Sequence, residues 1–154
     1  MTTTAQNTEQ NTAYDPMDVI ERPSAVNAFA GLVALVGLIT LFQGAMAGVF
    51  VRDDKERDAR SSFIDAHAWG AHIGTVLAVG LAGLALWKLR EHRAVVVASV
   101  ALALAFLGES YLGGLIRDND AQALTPIHVP LGMAIMGLTV YLAVLAARLR
   151  RGNA

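Results

Sequence analysis

Two histidines carry the chemistry legible in this sequence. His128 lies in Leu124-Thr-Pro-Ile-His-Val-Pro-Leu-Gly132, the head of an uncharged apolar segment that runs to about Ala147. His67 lies in Phe63-Ile-Asp-Ala-His67, at the head of another such segment. Imidazole is costly in hydrocarbon, so a histidine just inside an apolar segment marks a functional site. It serves there as an interfacial hydrogen-bonding group or as a metal ligand. Two of them, at matching positions in two segments, point to one metal-bearing cofactor held between them. His72 is the alternate ligand, and Gln43 and Glu109 are further polar residues set inside apolar segments. His92 falls in a basic loop and reads as a solvated surface residue.

The elements that position these residues are membrane helices. The 154 residues are 55% hydrophobic and 16% charged, with a mean hydropathy of +0.47, whereas a soluble domain carries about 25% charged residues. The apolar residues fall in four blocks, at Ala25–Val51, Phe63–Trp87, Ala94–Ile116 and Thr125–Ala147. Each exceeds the roughly 18 residues at which a transmembrane span becomes the default reading. The expected fold is all-α and integral to the membrane, an antiparallel bundle of four transmembrane helices over residues 25–148. Pro23-Ser24 and Thr125-Pro126 are helix-start signals. Pro130 removes a hydrogen bond, so the fourth helix either starts near Ile127 or bends one turn in.

Residues 1–24 are polar, rich in Thr, Asn and Gln, with no basic residue before Arg22 and no apolar core. They read as a disordered tail and not as a signal peptide. Residues 149–154 form a short basic tail. Lys and Arg number seven on the side of the termini and the Lys88–Arg93 turn, against five on the other side. The positive-inside rule therefore places both termini in the cytoplasm of a multi-pass cell-membrane protein, with His67 and His128 near the outer face. The net charge of −1 gives no reason to expect nucleic acid, and the absence of cysteine excludes disulfides, iron–sulfur ligation and covalent haem attachment through Cys-x-x-Cys-His.

Spans one and three end alike. Gln43-Gly-Ala-Met-Ala-Gly48-Val-Phe-Val-Arg52-Asp53 parallels Glu109-Ser-Tyr-Leu-Gly-Gly114-Leu-Ile-Arg117-Asp118, and each precedes a span headed by histidine. The chain thus reads as two similar helical hairpins, related by a pseudo-two-fold axis along the membrane normal. His67 and His128 then stand at equal depth, on the order of 5 Å inside. His72 lies about 7 Å deeper and is turned by about 140° from His67. Its depth matches Gln43 and Glu109, so these three are expected to form a polar layer and proton relay, with His72 as the partner of Glu109.

Zinc or copper normally needs three or four protein ligands. Haem iron needs two, and a helical bundle core suits it, so one haem b per chain is the expected cofactor. Gly74 and Gly132 lie below the two ligands, where a missing side chain lets a flat macrocycle approach. The alternative for the glycines is helix packing through Gly70-Ala-His-Ile-Gly74. Arg52 and Arg117 are placed either to meet the propionates or to anchor the span ends at the interface.

Gln/Glu-x-x-x-Gly-Gly, a short outer loop and His-x-x-x-Gly at a span entrance together resemble one four-helix half of the haem A synthase family. The resemblance covers about Ala25–Ala147 and extends in general plan to small four-span b-type membrane cytochromes. It implies a four-helix bundle with an outer-side histidine heading the second and fourth spans, here His67 and His128, and it places Glu109–Gly114 on the span-three motif. The family's glutamate three residues before the span-two histidine is replaced by Ile64, with Asp65 adjacent, and the outer-loop cysteine pair is absent. The expected function is electron transfer through a bis-histidine haem, in exchange with quinone or another membrane redox partner, with homo-oligomerisation allowed. The alternatives are a half-size haem-modifying enzyme and a cofactor-free scaffold subunit of a membrane complex.

Overall fold

The computed structural model describes residues 16–50 and 57–152, with side chains described over 24–49 and 62–152. Four helices account for nearly all of it: α1 (Pro16–Phe50), α2 (Arg57–Lys88), α3 (Arg93–Asp118) and α4 (Thr125–Arg150), the last preceded by a 3₁₀ turn at Gln122–Leu124. The stretches Ser24–Val49, Ser62–Lys88, Arg93–Asp118 and Gln122–Arg150 are each long and apolar enough to cross a membrane. Helix α1 runs back through Pro23-Ser24 to Pro16, so part of the segment expected to be a disordered tail is helical. Proline at the first helical position suits a helix N-terminus.

Short turns enforce antiparallel neighbours. Between α2 and α3 the chain reverses over Leu89–His92, where the His92 N–H donates to the Leu89 carbonyl at 2.9 Å and the His92 carbonyl accepts the Val95 N–H at 2.9 Å. The α3–α4 reversal places Asp120 at φ 52°, a left-handed conformation that aspartate tolerates better than most residues. Helix α4 takes Pro126 in its first turn and continues through Pro130 to Arg150. The starting point near Ile127 is thus not used, and the chain forgoes one backbone bond instead.

The helices form a ring in which α1 packs on α2, α2 on α3, α3 on α4 and α4 on α1, with no close approach between the diagonal pairs among the described residues. The buried core occupies the end of the bundle beside the Lys88–Arg93 turn. Phe29 and Val36 of α1, Leu81 of α2, Leu102 of α3 and Leu142 of α4 are all fully buried there. Thr40 and Thr139 are also buried, and each donates its hydroxyl to the carbonyl four residues earlier, at 2.7 and 2.8 Å. In a bilayer this packing acts through dispersion, since lipid tails are as apolar as leucine. The opposite end has few fully buried side chains, and the polar residues converge there.

Candidate functional site

Every helix contributes a polar residue to that end, including Gln43 from α1, His67 from α2, Glu109 from α3 and His128 from α4. The helices bearing the two histidines are diagonal in the ring, so imidazoles from them meet only by crossing the bundle interior. They do meet there. The His67 and His128 ring centroids are 6.4 Å apart, with the planes at 77°, and both residues are half-buried.

Nδ1 of each imidazole faces the neighbouring helix of its own hairpin. Nδ1 of His67 lies 3.1 Å from the backbone carbonyl oxygen of Gln43. Nδ1 of His128 lies 3.2 Å from Oε1 of Glu109. The first contact is a hydrogen bond when Nδ1 carries the proton. The second is close but off line, so His128 Nδ1 has no aligned hydrogen-bond partner. Since Gln43 and Glu109 are the matching residues of spans one and three, the two contacts are counterparts, one to a carbonyl and one to a carboxylate. A histidine held through Nδ1 by such a group presents Nε2 for ligation, the usual arrangement around a metal-binding imidazole.

Glycines make room for these groups. A Cβ on Gly113 would stand 3.3 Å from Cε1 of His128, and one on Gly132 would stand 3.0 Å from Oε1 of Glu109. Gly132 therefore admits the glutamate carboxyl, not a macrocycle as its position in the sequence suggests. Gly74 is filled as well: a Cβ there would fall 2.5 Å from the Phe106 ring. Gly70 lies directly against the Gln43 side-chain amide. These two glycines serve helix packing.

The expected layer of Gln43, His72 and Glu109 does not form. His72 is exposed and packs edge-on against Trp69, ring centroids 6.2 Å apart. Five residues turn it away from His67, so it reaches neither Glu109 nor the centre, as relay partner or as alternate ligand. Glu109 is instead beside His128. Arg117 pairs with Asp118 in a two-point contact at 2.7 and 3.3 Å on the surface, and Arg52 lies outside the described residues. Two features of the site carry little sequence signal. Gly113 is four residues past Glu109 within the Gly-Gly pair, and a Thr75–Ser110 hydroxyl contact of 2.8 Å joins α2 to α3.

Four buried polar atoms at this end have no hydrogen-bond partner: both side-chain amide atoms of Gln43, Oε2 of Glu109 and Nδ1 of His128. Orphaned polar atoms in one cluster are what a bound group or ordered water satisfies. Among the described residues no group of three or more His, Cys, Asp or Glu side chains is placed to hold a metal ion.

Compared with known proteins, the chain matches no protein family, no curated protein and no solved structure.

Proposed function

We propose that this chain is a multi-pass membrane protein that holds one b-type haem between His67 and His128 and passes electrons through it. The observation that carries the reading is the separation of the two rings. Two imidazoles bound at about 2 Å to opposite sides of one metal, each centroid about 1 Å behind its nitrogen, have centroids about 6 Å apart. The rings stand at 6.4 Å. Nδ1 of His67 lies on the Gln43 carbonyl, which favours the tautomer that ligates through Nε2, and Nδ1 of His128 lies 3.2 Å from a Glu109 carboxyl oxygen. A centre with only two protein ligands suits an iron whose other positions belong to a macrocycle.

In this reading the bound group supplies one-electron chemistry, and the chain supplies ligation, orientation and a low dielectric. Absorption spectra of detergent-purified protein, oxidised and reduced, test the proposal. The expected result is a low-spin Soret band and a sharp reduced α-band, lost or shifted in His67→Ala and in His128→Ala and retained in His72→Ala. A folded protein that stays colourless after incubation with haem overturns the reading. Loss of the spectrum on His72→Ala with retention on His67→Ala overturns the ligand assignment.

A further inference from the structure

A second polar feature stands outside the histidine pair. Asp65, Ala68, Trp69 and His72 follow one another at helical spacing along one stripe of α2. With Arg117 at the end of α3 they line a half-open cavity of about 180 Å³. All but Ala68 are exposed, so the cavity opens on the outside of the bundle at the end of the apolar spans. A ligand enters it from the bilayer or its interface.

We propose that this cavity binds the ring of a membrane-soluble quinone. Size comes first: a cavity of about 150 Å³ accommodates one benzene ring, so this one has room for a single six-membered ring. Surface chemistry comes second. Trp69 is 70% exposed and offers a flat aromatic wall. His72, packed edge-on against it, and Arg117 offer N–H donors suited to the carbonyl oxygens of a quinone. Charge decides between this ligand and a phosphate. Arg117 is already engaged by Asp118 and Asp65 adds a second carboxylate to the lining, so a phosphate anion meets no net positive charge. A neutral acceptor ring does not need one. His72 is five residues from His67, about 7.5 Å along the helix and on a different face of it, so α2 stands between the cavity and the proposed centre. As a partner of that centre the quinone rests on the proposed function, whereas its binding rests on the cavity alone.

The chain has two tryptophans, Trp69 in the cavity and Trp87 at the far end of α2. Trp87→Phe therefore leaves Trp69 as the single reporter in detergent-purified full-length protein. Titration with a short-chain benzoquinone is expected to quench its fluorescence saturably. His72→Ala and Arg117→Gln, both on the surface, are expected to raise the half-saturation concentration by about tenfold or more. Quenching that is linear, or saturable but unchanged in both variants, overturns the site. A saturable change of Trp69 fluorescence with glycerophosphocholine, and none with the quinone, identifies a lipid headgroup site and overturns it too. The absorption spectrum of the same samples reports haem separately, so failure of either proposal is seen without the other.

Discussion

Oε1 of Glu109 lies 3.2 Å from Nδ1 of His128 across the seam between α3 and α4, in space that the missing side chain of Gly132 leaves open. Both side chains are largely buried, at 16% and 19% exposed, so the carboxyl group acts on the imidazole with little screening by water. It is placed to orient the ring.

In the proposed haem centre, that support is expected to matter for binding. Glu109→Ala is expected to lower the affinity for haem by about 10- to 100-fold, the usual cost of deleting an outer partner of a metal-bound histidine. Glu109→Gln, which keeps shape and a hydrogen-bonding oxygen, is expected to cost less and to shift the reduction potential. Haem titration and redox potentiometry measure the two effects. Equal affinity in wild type and Glu109→Ala contradicts the assigned role.

Room for the His128 ring is the subject of a second expectation. A methyl group at Gly113 stands 3.3 Å from Cε1 of His128, so Gly113→Ala pushes on the ring and is expected to disturb the low-spin spectrum. Gly70→Ala meets the flexible end of Gln43 instead, which can turn away, and should leave the spectrum near wild type. The reverse ranking would place the cofactor on the α1–α2 side and not between the histidines.

Beneath the site, Gly74 and Phe106 make a packing pair. A Cβ at Gly74 falls 2.5 Å from a ring that is only 3% exposed, so Gly74→Ala overpacks the α2–α3 contact at a cost of about 1–3 kcal/mol. Phe106→Leu in the same chain is expected to restore part of this. Denaturation in mixed micelles, followed by circular dichroism, gives the values. Additive losses in the double variant would show that the two positions do not interact.

The core end predicts a simple contrast. Leu102 is fully buried while Val97, on the same helix, is 67% exposed. Leu102→Ala should destabilise by about 2–5 kcal/mol through the cavity it leaves, and Val97→Ala by well under 1 kcal/mol, as an exposed substitution does. Similar losses at both positions would mean that α3 is rotated about its axis.

Much of this architecture was legible in the residues alone. Four long apolar runs set the number of helices, because backbone polar groups in hydrocarbon must be satisfied within a helix or a closed barrel. The common level of His67 and His128 in the bundle followed from counting, since every helical residue rises by about 1.5 Å. The direction each side chain faces did not follow, because the rotation of a helix about its own axis is set by the neighbours it packs on. Folding therefore decided that α2 and α4 stand diagonally, that Glu109 meets His128 and not His72, and that Phe106 fills the space at Gly74. Spacing along a chain reports height within a bundle, and only packing between helices reports azimuth.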